Sequence, residues 1–262
     1  MKKSFNRHDA WISTPLLVLA CLFAWHIYVK EFHVPPILLP APLDVGGRII
    51  RLAMDPRIYV HVAVTLHEIL LGFSIAVVAG VGLGVLLAKW RWLERALSPF
   101  IVALQIMPKV ALAPIFIVWF GFGPGSKIIM AAVLAVFPIM INTVLGIKSA
   151  DRGHRDLMMS LCASPLATFR EMELPGALPY ILSGAEVGIV LAVIGAVVGE
   201  YLGGDQGLGY LTAAALNAFD VETMFAVVFV LTLLGLGLYL LVAALRRRLT
   251  PWHPSVDGRR GV

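Results

Sequence analysis

Apolar positions in this chain do not alternate with polar ones; they run in long blocks, at 11–29, 62–88, 99–120, 128–147, 177–199 and 224–245. About 20 apolar residues cross roughly 30 Å of hydrocarbon as a helix, the form in which a segment satisfies its own backbone groups without water. The pattern predicts an all-α polytopic membrane protein with six transmembrane helices. Between the first two blocks, the prolines of Val34-Pro35-Pro36 and Pro40-Ala41-Pro42 forbid a continuous helix and favour an extended connector. Val45, Ile49, Leu52 and Ala53 then recur at helical spacing, which predicts a short helix over 43–54 on the outer membrane surface. The segment 148–176 is no simple linker: 156–161 and 166–169 read as two short helices, and Leu174-Pro175 and Leu178-Pro179 lead into the fifth block. The expected organisation is 1–57 for the first helix and surface segment, 58–248 for the core, and 249–262 for an unstructured tail.

Composition agrees with the pattern. Of 262 residues, 59% are hydrophobic and 14% charged, which excludes a soluble globular domain and a disordered chain. A net charge of +5 suggests nucleic acid only until the cations are located. Fifteen of the 21 Lys and Arg lie before the first block, after the sixth, or between blocks two and three and four and five, against five in the remaining loops. That asymmetry predicts that both termini face the cytoplasm, with no nucleic-acid partner. Val18-Leu19-Ala20-Cys21 superficially resembles a lipoprotein cleavage box, but the apolar run continues through Leu22-Phe23-Ala24-Trp25, so an uncleaved first helix is expected. Two cysteines, Cys21 in an apolar block and Cys162 in a loop, suggest no disulfide framework and no metal site.

Catalytic signatures are missing. The chain has no H-E-x-x-H and no G-x-S-x-G, and 121–127 lacks the Gly-Lys-Ser/Thr ending of a phosphate loop, so it reads as a tight turn. Charges inside the blocks are more informative, because a charge facing lipid costs several kcal/mol. Lys109 follows Pro108 about midway along the third block, with Gln105 one turn earlier, and Glu186 lies near the middle of the fifth. Lys109 and Glu186 either line a pathway or pair with each other or with backbone to hold helices together. Gly184, Gly188, Ala192, Gly195 and Gly199 form a small-residue stripe suited to close packing. Glu186 and Glu200 fall away from it, on a side expected to face a cavity or a second subunit. Glu68 is placed near the outer end of its helix, within reach of headgroups.

The chain from about Leu39 to Arg248 resembles the integral-membrane permease subunits of bacterial ATP-binding-cassette importers, in the branch serving nitrate, sulfonate, taurine and related solutes. The loop is similar to the family's docking motif of Glu-Ala-Ala, a Gly further on, and a distal Leu-Pro: here Asp156-Leu157-Met158, then Leu161, Cys162-Ala163-Ser164, Phe169 and Leu174-Pro175. Cys162 stands at the glycine. The runs from Gln105 to Pro114, Trp119 to Gly123, Gly199 to Gly203 and Gly207 to Tyr210 resemble the same branch. The resemblance implies a permease fold and a homodimer in the inner membrane, in contact with lipid. It also implies two cytoplasmic ATPase subunits docked on the loop and a periplasmic or lipid-anchored solute-binding protein. No cofactor is then expected in this chain, ATP and magnesium belonging to the ATPase. Gln105, Pro108, Lys109, Glu186 and Glu200 are the expected pathway residues. The expected solute is a sulfonate, taurine, nitrate or similar organic anion. An uncharged vitamin precursor such as a pyrimidine is the alternative, and an ATP-independent carrier the alternative mechanism.

Overall fold

The computed structural model describes residues 7–252, so the expected tail from 253 onward lies outside the described residues. These form helices with no strand among them: α1 (Arg7–Glu31), α2 (Pro42–Met54), α3 (Pro56–Lys89), α4 (Arg91–Ile106), a tight turn (Lys109–Leu112), α5 (Ala113–Phe120), α6 (Pro124–Lys148), α7 (Arg152–Ser160), α8 (Pro165–Thr168), a wide turn (Phe169–Glu173), α9 (Leu174–Gly203), α10 (Leu208–Asn217) and α11 (Val221–Leu249). Four helical stretches among the described residues are long and apolar enough to cross a membrane, or five if α4 and Lys109–Phe120 count as one broken span.

That broken span departs from the expected third helix, a single span over 99–120 in which Pro108 was expected to give a kink. It starts earlier, at Arg91, and turns by 87° between Ile106 and Lys109. The cause is Pro108. A proline pushes the residue before it out of the helical region, and Met107 sits at φ −58°, ψ 133°.

Among the described residues, those up to Val60 together with Leu211–Val230 form one compact unit, and His61–Tyr210 together with those from Leu231 onward form another. The segment 211–230 thus groups with the amino-terminal part, across the expected boundary near 57. In the first unit Trp25 stacks at a tilt on Phe225, 5.9 Å between ring centres. There Arg48 of α2 reaches the loop after α10, donating from Nη2 to Asp220 at 3.0 Å and from Nε to Thr223 Oγ1 at 2.6 Å. Partial burial works to raise the Asp220 pKa, but the Thr223 hydroxyl and amide and the Arg48 guanidinium together hold it below the ordinary carboxylate value. A depressed carboxylate pKa stabilises above the unfolded value and ceases to do so as pH falls through the folded one. Acidification from pH 5 to 3 is therefore expected to loosen this clasp. Since both groups are partly exposed, the effect is at most about 1 kcal/mol. Thermal unfolding of Arg48→Met should show a shallower acid dependence than the parent.

The second unit is organised around α6, which packs between α3 and α9. Its buried core includes Ile69, Ala76, Ala131, Ala135, Ile139, Ile189, Ala192 and Ala196. The glycine stripe predicted on α9 is the contact with α6. A Cβ on Gly184 would lie 2.8 Å from Pro138 O, and one on Gly195 2.7 Å from Ala131 Cα. On the other face, Gly72, Gly80 and Gly84 of α3 approach Ala131, Ile139 and Thr143 as closely. Small side chains let helix backbones meet where lipid offers no competing hydrophobic force.

Three helices end alike: among the described residues, the non-glycine positions with positive φ are His33 (49°), Cys162 (52°) and Phe219 (56°), and each terminates a helix with paired 5→2 and 6→1 backbone bonds.

Candidate functional site

The loop between α6 and α9 is built from local signals. Asp151 caps α7 by accepting from Gly153 N at 3.1 Å, and Ser164 caps α8 by accepting from Ala167 N at 3.2 Å. Between them the chain reverses at Cys162: its N–H bonds Met159 O at 2.9 Å and that of Ala163 bonds Met158 O at 3.0 Å. The residue at this position takes the left-handed conformation that glycine adopts freely and other residues adopt at a cost of roughly 1–2 kcal/mol. Cys162→Gly is expected to raise the stability of the loop by about 1 kcal/mol, read as slower proteolysis between α7 and α8.

Of the expected docking residues, Asp156, Leu157, Leu161, Cys162 and Ser164 are exposed, while Met158 and Ala163 are half-buried. Leu157, Met159, Leu161 and Leu166 form an exposed apolar group on this otherwise polar loop; Met159 and Leu166 were not singled out from the sequence. Phe169 points the other way, packing with Ile147, Ala177 and Ile181.

The mid-span candidates do not converge. Lys109 Nζ donates to Gln105 O at 3.2 Å and lies 4.9 Å from the centre of the Phe137 ring. Glu186 does not pair with Lys109. Its Oε1 lies 2.9 Å from Arg246 Nε, close enough for an ion pair although the N–H is not aimed along the line, and Arg246 also donates to Ser183. Gln105 lines a cleft of about 310 Å³ with Glu94, Ser98, Met140 and Val144, between α4 and α6. Pro108 forms the break described above.

Glu200 is 1% exposed and Glu186 8%, so at these two residues α9 packs against other parts of the chain. Glu200 Oε1 accepts from Thr65 at 2.6 Å and Oε2 from Gly209 N at 2.6 Å, while Leu208 N donates to Thr65 and Gly207 N to His61. Together these side chains of α3 and α9 satisfy the free amides that open α10. Glu68 is 3% exposed and faces Glu200, not headgroups. Beside them Lys127, 2% exposed, donates to the carbonyls of Phe122, Gly123 (3.0 Å) and Gly203 (2.9 Å), so a cation closes the end of α9. Sequence reasoning placed Lys127 in a loop and missed Thr65 and His61. The signal available was a lysine directly after Pro-Gly-Ser opening an apolar run.

The segment carrying the loop, the glycine contacts and the closed helix end, residues 80–251, matches the family described as binding-protein-dependent transport system inner membrane component. The chain belongs to this family. It is the multi-pass permease of an ATP-binding-cassette importer, not an enzyme, ATP hydrolysis belonging to a separate subunit. The permease is 35% identical to the formylaminopyrimidine transport permease protein ThiX of Halalkalibacterium halodurans, covering 97% of this chain and 99% of the relative. It is 37% identical to the riboflavin transport system permease protein RibX of Chloroflexus aurantiacus, over 93% and 91%. With the aliphatic sulfonates transport permease protein SsuC of Escherichia coli, a putative assignment by its own name, it shares 32% over 97% and 95%. Its fold matches a chain in the inward-facing MetNI methionine ABC transporter, with a TM-score of 0.66 at 21% identity, over 75% of this permease and 99% of that chain.

Proposed function

We propose that two copies of this permease form a solute path of six spans per copy, α4 and α5 together making the third and α1 the first. Both termini and the α7–α8 loop lie on the cytoplasmic side. There the exposed Leu157, Leu161 and Leu166 seat in an ATPase subunit that holds ATP and magnesium. The ends of the helices away from the loop receive solute from a binding protein. The concentration of Lys and Arg on the loop side supports this orientation. Gln105, Pro108 and Lys109, at the break in the third span, border the path.

The solute is an uncharged heteroaromatic vitamin precursor and not an aliphatic anion. One observation carries this choice. The formylaminopyrimidine and riboflavin permeases are 35% and 37% identical to this chain, against 32% for the aliphatic sulfonates permease. The test is to isolate the cognate binding protein with its native ligand and identify that ligand by mass spectrometry. A pyrimidine or related heterocycle is the expected result; taurine or an alkyl sulfonate in the site would replace this reading with the anion one.

A further inference from the structure

Among the buried carboxylates that the proposed function does not use is Glu173. Glu173 closes the wide turn between α8 and α9, where the N–H of Leu174 reaches back five residues to Phe169 O. Such widened turns recur where a helix must be interrupted for function. The Glu173 side chain is 8% exposed, yet it carries two cationic neighbours from different parts of the unit. Its Oε2 accepts from Lys89 Nζ, the last residue of α3, and its Oε1 lies 4.0 Å from Arg155 Nη2 on α7. Arg155 in turn donates to Ile147 O near the end of α6 at 3.2 Å, and Lys89 lies 5.3 Å from the centre of the Phe169 ring. At the start of α9, therefore, one carboxylate meets the end of α3 through Lys89 and α7 through Arg155, and Arg155 links it on to the end of α6.

We propose that Glu173 is a positioning residue through which displacement of α7 reaches α3 as well as α9. This rests on the reading that the loop docks on the ATPase. Covalent continuity alone moves α6 and α9 with the loop, because α7 lies between them in the chain. Nothing covalent links the loop to α3, whose Lys89 is joined to it by the Glu173 ion pair. Glu173 is buried while Lys89 is 37% exposed, so removing the lysine leaves the carboxylate charge short of compensation in a poorly hydrated place, which favours keeping the pair formed. It thus behaves as a strut during a rigid movement and not as a flexible tether. Lys89 stacked on Phe169 stiffens the same joint from the far side.

The test uses the full complex of permease and ATPase in lipid nanodiscs, with the cognate binding protein carrying the solute it co-purifies with as the probe. The readout is the ratio of stimulated to basal ATP hydrolysis. Glu173→Gln, an isostere that leaves no buried charge, is expected to cut that ratio at least threefold, with the ATPase still bound and basal hydrolysis retained. Lys89→Met should do the same, and Lys89→Arg should keep the parental ratio. If the two residues act as one unit, the double variant loses no more than the worse single one. A loss under threefold in Glu173→Gln would overturn the proposal. So would multiplicative losses in the double variant, or release of the ATPase from the variants when the parent holds it. An absence of ATPase from the parental complex, read before any variant is made, would instead refute the docking reading.

Discussion

Gly195→Leu is expected to yield no folded permease. A Cβ at this position meets Ala131 Cα at 2.7 Å, Met130 O at 2.8 Å and Ala131 N at 2.9 Å, all within 3 Å and all backbone of α6. A flexible side chain can move aside; a helix backbone cannot. Overpacked substitutions typically cost 1–3 kcal/mol, occasionally more. Here α6 and α9 have to separate along a seam that also buries Ile139, Ile189, Ala192 and Ala196. A loss of at least about 3 kcal/mol out of the roughly 5–15 kcal/mol that holds a domain together is therefore expected. Gly82→Leu is the control. It lies on α3 with nothing within 4 Å of its Cβ, so it should give a monodisperse peak by gel filtration in detergent while Gly195→Leu aggregates. A monodisperse Gly195→Leu would mean that α6 and α9 do not pack as described.

The second large effect is expected at the loop. Leu157 is 55% and Leu161 67% exposed, so replacing both with Asp removes nothing the permease needs for its own fold. Residues that cost more than about 1 kcal/mol when truncated are a minority of an interface, and two such losses together lower affinity about thirtyfold. Placing carboxylates there adds a desolvation cost. The double variant should purify with an unchanged melting temperature and without its ATPase, and solute uptake should fall to background. An ATPase that stays bound at the parental mole ratio would show that this surface is not where it docks.

The extent of what the chain pattern reveals differs by feature. Blocks of apolar residues mark helices because lipid leaves a segment no other way to satisfy its backbone, and α3, α6, α9 and α11 fall where the blocks are. The glycine spacing on α9 marks its contact face because only small residues permit such approach. Pro108 signals a bend, but its size does not follow from the residue: it depends on what α4 and α5 pack against. Partners of buried charges were not legible. Glu186 meets Arg246, 60 positions away, and Glu173 meets Lys89 across 84. Local periodicity carries no information about which distant cation a carboxylate finds. Cys162 is the converse case: a resemblance placed it where the family has glycine, and its left-handed backbone shows why that residue type belongs there.

The break at Pro108 has a consequence for Lys109. In an uninterrupted helix the Gln105 carbonyl would take the amide four residues on, which is that of Lys109 itself. With the chain turned away, it takes the ammonium group of the same residue. The lysine thus uses the tip of its side chain to mend a bond that its own main chain gave up at the bend. Exchanging it for methionine would remove the mend, leaving an orphaned oxygen at the elbow of the third span.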